Sequence, residues 1–129
     1  MIPRGAPETH NKDGQPPGLS PNPDQMTDKA QLISATLHAI RCVTDERGNQ
    51  LTKWGVQDHS PIEWMAILVE EVGEAQKEAL EHHWAGTHYP VDEFRLIRLR
   101  AELVQVAAVA VAAIESLDRN ELRAALAGV

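Results

Sequence analysis

The segment ILVEEVGEAQKEALEHH, Ile67 to His83, places Glu70, Glu71, Glu74 and Glu78 within a few turns of a stretch with helical periodicity. At about 100° per residue, Met65, Leu68, Val72, Ala75 and Ala79 form an apolar stripe expected to face the core. Trp64, Ile67, Glu71, Glu74 and Glu78 fall on the strip beside it. The acids therefore border a core. Like carboxylates crowded where water is partly excluded repel one another, at a cost on the order of several kcal/mol for an unpaired buried charge. A bound divalent cation relieves that cost. Hard oxygen donors suit Mg²⁺, with Mn²⁺ as a substitute, rather than Zn²⁺, and Mg²⁺ keeps coordination positions for water and substrate phosphates. A second reading stays open at this level, because Glu70, Glu74, Glu78 and Glu81 also suit a solvated helix face paired with Lys77.

A matching pattern lies further on. LVQVAAVAVAAI, Leu103 to Ile114, is apolar on every face except at Gln105 and should be surrounded by protein. Arg95, Arg98, Glu102 and Gln105 recur at spacings of three and four, the last two at the edge of this run. If the two helices pack antiparallel, the strips face each other and form a pocket walled by three or four oxygen-bearing side chains. Arg98 and Glu102 also read as a plain ion pair one turn apart.

The elements that must position these residues are helices. Asp28 with Gln31 predicts the start of a first helix, in which Ile33, Thr36, Leu37, Ile40 and Val43 recur until Gly48 stops it. Ser60, Pro61 and Glu63 supply an N-cap, a first-turn proline and a capping-box acid for a second helix from Pro61 to about His82. HWAGTHYP is a loop, a third helix runs from Pro90–Asp92 to about Leu117, and Asp118 with Glu121 caps a short last one ending at Gly128. No stretch alternates as a strand does, so the fold class expected is all-α. A twelve-residue apolar segment falls short of the roughly 20 residues that span a bilayer, and no membrane association is expected. So apolar a third helix is difficult to bury in one small chain, which points to a bundle completed by further copies.

Composition limits the remaining classes. The 129 residues read as one domain, residues 27–129, preceded by an arm, residues 1–26, expected to be disordered because it holds six of the eight prolines and few large apolar side chains. The arm lacks the uninterrupted apolar stretch of a secretory signal. Cys42 is the sole cysteine, so no intrachain disulfide forms and a reducing, cytoplasmic setting is expected. A formal net charge of −7 opposes a nucleic-acid partner and suits a protein that holds cations. His82, His83 and His88 share one loop region but lack a zinc-ligand helix motif, and Cys42 has no cysteine partner, so they are read as solvent-facing.

EEVGE, with Glu70, Glu71 and Glu74, followed at a distance by Glu102 in ELVQ, resembles the E-E-x-x-E and E-x-x-D signature of the MazG-like all-α nucleoside triphosphate pyrophosphohydrolases. The resemblance covers about Lys53 to Leu117, including KWGVQDH ahead of the second helix, a segment similar to that of small MazG-like proteins, many of them phage-borne. It implies a MazG-like helical domain assembled as a homodimer or homotetramer. It also implies a Mg²⁺-dependent hydrolase that cleaves a (d)NTP to (d)NMP and pyrophosphate. By position, Glu71, Glu74 and Glu102 would be metal ligands, with Gln105 completing the shell, and Glu70 and Glu71 would be the catalytic acids, Glu70 helping to bind metal or orienting the attacking water. The chain departs from the signature at Gln105, where the family has Asp: a neutral amide offers one oxygen and no charge, which weakens metal affinity and catalysis. The alternative implied is a member without chemistry, a nucleotide-binding or purely oligomeric helical module. In KWGVQDH, Lys53 is a candidate for a phosphate, Trp54 for stacking on a base, and Gln57 or His59 for a base or sugar edge, with Arg98 and Arg95 as further phosphate candidates. Trp54 packed beneath its own loop and His59 at the surface are equally consistent with the pattern.

Overall fold

The computed structural model describes residues 23–128. It contains α1 (Pro23–Trp54), α2 (Pro61–His83), α3 (Arg95–Leu117), a π-helical turn (Asp118–Leu122) and α4 (Arg123–Ala127). Among the described residues there is no strand beyond an isolated bridge between Ala85 and Tyr89, so the fold is all-α as expected. No described helix is long and apolar enough to cross a membrane. The chain divides after Thr36 into two units. The described part of the first is the opening of α1, and the site lies in the second.

Helix boundaries follow local chemistry, with several departures from the expected ones. α1 begins at Pro23 rather than near Asp28, since proline is preorganised for a first turn and Asp24 adds an acid there. Of the arm expected over residues 1–26, residues 1–22 lie outside the described residues, and the last four are helical. α1 also runs through Gly48, where a glycine costs about 1 kcal/mol relative to alanine without ending a long helix. The stop is Gly55, whose φ of +69° is the left-handed conformation of a helix C-terminus, its N–H donating to the Leu51 carbonyl at 2.9 Å.

α2 starts as expected. The Ser60 side chain accepts from the Glu63 N–H while the Glu63 carboxylate accepts from the Ser60 N–H at 2.8 Å, a capping box worth about 1 kcal/mol to the helix. α3 begins at Arg95, later than Pro90–Asp92, because Asp92 folds into a turn: its side chain accepts from the Phe94 N–H at 2.9 Å and its carbonyl from the Arg95 N–H at 3.3 Å. Asp118 caps no separate helix; it is itself helical, and the backbone passes through the π turn directly into α4.

α2 and α3 pack closely and antiparallel. Arg95 at the start of α3 pairs with Glu78 and Glu81 near the end of α2, while Trp64 near the start of α2 joins Val109 and Ala112 late in α3. Ile67, Leu68 and Ala113 flank that cluster. The buried face of α2 is rotated from the expected stripe: Ala75 of that stripe is buried, but so is Trp64 of the neighbouring strip, whereas Met65 and Val72 are 53% and 47% exposed. Opposite so many alanines of α3 the two backbones can approach, and Trp64 is the side chain bulky enough to fill the end of the interface. α1 reaches α3 through long polar side chains, among them Arg47 to Glu115 at 2.5 Å. Apolar grooves of about 490 and 240 Å³ remain between the two, lined by Ala39, Val43, Leu103, Ala107 and Val111. The expected full enclosure of α3 is not met within one chain, since Leu103, Val111 and Ile114 are exposed.

Candidate functional site

Midway along the α2–α3 interface two acids oppose each other. Glu71 is half-buried on α2, and its carboxyl titrates above the ordinary glutamate range, first because burial disfavours the anion, then because Glu102, Glu70 and Glu74 each repel it. Glu102 is half-buried on α3; Glu70 and Glu74 are exposed on α2. The antiparallel packing thus brings together the acidic strips recognised in the sequence. Among the described residues no three His, Cys, Asp or Glu side chains converge in a cation-holding geometry. The donors fit a hard divalent cation in chemistry, as oxygen ligands that destabilise one another without a counter-charge, and their carboxylates stand apart as a loose cluster.

Glu71 has a second neighbourhood. It lines a cleft of about 200 Å³ with Gln50 and Trp54 of α1, Gln57 and His59 of the following loop, Trp64 of α2, and Gln105 of α3. The structure therefore joins three of the four KWGVQDH residues singled out in the sequence, Trp54, Gln57 and His59, to the acidic strip. Lys53 is outside the lining, with its Nζ over the Trp54 ring at 4.5 Å. His59 stacks edge-on against Trp64 at 4.8 Å between ring centroids.

One cleft residue, Gln50, has no counterpart in the sequence reading, and a second, Trp64, entered it only as a member of the strip that carries the acids. Gln50 is buried, 7% exposed, one turn before Trp54 on the same helix face, a spacing that was visible but attached to no motif. Its Nε2 donates to Gln105 Oε1 at 3.4 Å, and its Oε1 accepts from Arg47 at 3.2 Å. The Gln105 oxygen expected to complete a metal shell is thus an acceptor for Gln50. Trp64 is 4% exposed, and its indole N–H has no acceptor among the described residues.

The loop carrying Gln57 and His59 is held from below. Asp58 Oδ1 accepts from Arg119 at 3.0 Å and from Asn120 at 2.9 Å, and Arg119 also donates to the Gln57 carbonyl at 3.3 Å. These bonds, the Asn120 amide first and then Arg119, hold the Asp58 carboxyl below its ordinary range. Both donors lie on the π turn, where the widened helix supports a loop distant in sequence.

The arginines nominated for phosphate are committed elsewhere. Arg95 is buried and bonded to Glu78 and Glu81. Arg98 pairs with Asp92 and, at 3.4 Å, with Glu78; the Asp92 bond is the main cause of its raised pKa. Together they clasp the far end of the α2–α3 pair. His82, His83 and His88 are exposed, and His83 and His88 pack edge-on against Trp84 at 4.8 and 5.3 Å. Cys42 is a free thiol.

No family model matches the chain, and no match was found among curated proteins or among solved structures.

Proposed function

We propose that the protein is a Mg²⁺-dependent nucleoside triphosphate pyrophosphohydrolase that cleaves a (d)NTP to (d)NMP and pyrophosphate, a control on nucleotide pools. The observation that carries this reading is the double position of Glu71: it repels Glu102, Glu70 and Glu74 on one side and lines the aromatic and amide cleft on the other. A nucleotide has the same two halves, a polyanion that needs a cation and a planar base that needs an aromatic, hydrogen-bonding wall. The E-E-x-x-E resemblance points to the same chemistry.

Glu71, Glu74 and Glu102 would hold Mg²⁺, with Mn²⁺ as a substitute. The bound cation would draw electron density from the phosphate oxygens and offset charge as the reaction proceeds. Trp54, His59 and Trp64 sequester the base and fix the α phosphorus relative to the acids. Water attacks that phosphorus, the bond to the oxygen bridging the α and β phosphates breaks, and pyrophosphate leaves. Glu70, adjacent to Glu71 and open to solvent, takes the proton of the attacking water.

A second reading has its own observation. The Gln105 oxygen is occupied by Gln50 and the acids form no closed cage, as in a module that binds nucleotides without turning them over. Chromatography of products from a panel of ribo- and deoxynucleoside triphosphates, in Mg²⁺ and in Mn²⁺, separates the two. Pyrophosphate and monophosphate in equal amounts, lost in Glu74→Ala, are expected for the hydrolase. Folded protein that binds a nucleotide of the panel but yields no product is expected for the binding module.

A further inference from the structure

A chain of polar side chains crosses from the surface into the cleft. Glu115 accepts from Arg47, Arg47 donates to Gln50 Oε1, and Gln50 Nε2 donates to Gln105 Oε1. A carboxamide can turn over and exchange its donor and acceptor ends, so its orientation depends on its partners. Here the partner at the root is a guanidinium, which has no acceptor. Arg47 fixes the near end of Gln50 as oxygen, which makes the far end of Gln50 a donor, which fixes the facing atom of Gln105 as oxygen. The polarity of the whole chain follows from one arginine, itself anchored by Glu115 at 2.5 Å.

What remains for the cleft is the Gln105 Nε2, two N–H donors with no acceptor among the described residues. The Trp64 ring lines the same cleft, but its Nε1–H is itself buried and, among the described residues, without an acceptor, so the Gln105 amide is the donor available to a ligand. A donor without a protein acceptor is left for water or a ligand to satisfy, and a site built on such a donor discriminates against an analogue that brings a donor instead.

We propose that Gln105 is a base-specificity residue rather than a metal ligand, and that the Glu115–Arg47–Gln50 chain poises it to select heterocycles bearing a carbonyl at the recognised edge. The inference rests on reading the cleft as a nucleotide site and names the class of base it takes. Uracil, thymine, guanine and hypoxanthine present a carbonyl oxygen to the Gln105 amide, where cytosine and adenine present an amino group, donor against donor. The half of the site that would hold the cation takes no part.

The test measures binding without turnover. Quenching of tryptophan fluorescence in EDTA is titrated with inosine against adenosine, and with deoxyuridine against deoxycytidine, for the full chain and two variants. Wild type is expected to favour the carbonyl member of each pair about tenfold, one matched hydrogen bond against one repulsive contact. Gln105→Glu keeps the shape but presents only acceptors, and the preference should reverse. Gln50→Glu retains its bond to Arg47 but can only accept, so Gln105 must turn its amide toward Glu and its oxygen toward the cleft; the preference should reverse here too. A residue acting only through packing would not produce that second reversal. Equal affinities within each pair in wild type, or a preference unchanged in both variants with native circular dichroism, would overturn the proposal. So would the absence of nucleoside binding. Pyrophosphate release is assayed separately, so a hydrolase with no preference for carbonyl bases would refute this inference alone, and a carbonyl-selective binder with no turnover would refute the hydrolase reading alone.

Discussion

Glu71 illustrates how one residue acquires its character from neighbours far away in sequence. Its folded pKa is raised, so between the ordinary glutamate value of 4.5 and that raised value the folded chain binds more protons than the unfolded one. Stability contributed by this group is therefore present at low pH and is lost as pH rises through the folded pKa; at neutral pH the ionised carboxylate destabilises the fold. Glu71→Gln is expected to raise the thermal midpoint of the protein in EDTA at pH 7, with the gain shrinking to nothing as the pH is lowered below about 4.5. Added Mg²⁺ should stabilise wild type and have little effect on the variant, as read by differential scanning fluorimetry. A variant equally or less stable at pH 7 would show that the repulsion is already relieved by solvent. EEVGE made the adjacency of Glu70, Glu71 and Glu74 legible; the approach of Glu102, thirty-one positions beyond Glu71, required α3.

Among the elements, the capping box of α2 was legible because every participant lies within four consecutive residues, Ser60 to Glu63. The support of the KWGVQDH loop was not. Nothing in the sequence singles out Asp58, and Arg119 and Asn120 fall within the expected last helix; the π turn places both donors against one carboxylate. Asp58→Ala should release the loop that carries Gln57 and His59. The expected outcome is nucleotide affinity weaker by roughly fivefold, the cost of ordering a loosened binding loop, with an unchanged helical circular dichroism spectrum. Asn120→Ala should produce a smaller loss in the same direction, since Arg119 remains bonded to Asp58. Unchanged affinity in both would mean that the loop is held by Trp54, His59 and Trp64 packing alone.

For the whole molecule, the sequence posed the question of what covers α3, and one chain leaves it open. Val111 borders the groove toward α1, Ile114 is 57% exposed, and Met65, Val69 and Val72 on α2 also face solvent. Apolar side chains in such number on a chain of this size are the expected mark of an interface between copies. The homodimer or homotetramer that the MazG-like resemblance implies would have two or four times the 14.2 kDa mass of the chain in light scattering coupled to chromatography. Ile114→Glu is expected to shift it to monomer, or to the next smaller assembly, without loss of helix. A wild-type monomer would leave these side chains without that explanation.

The sequence alone determined the helical class, the start of α2, and the two acidic strips, because each is encoded by near neighbours through a single period. It also brought Trp54, Gln57 and His59 forward as ligand-facing candidates. Tertiary structure decided which face of α2 is buried, since alanine-rich α3 allows a closer approach there than the apolar stripe suggests. It decided that Arg95 and Arg98 clasp α2 instead of facing the cleft. Above all it decided which way the Gln105 amide is turned, because the orientation of an amide is set by its partners, and those partners, Gln50 and through it Arg47, come from a helix more than fifty residues earlier.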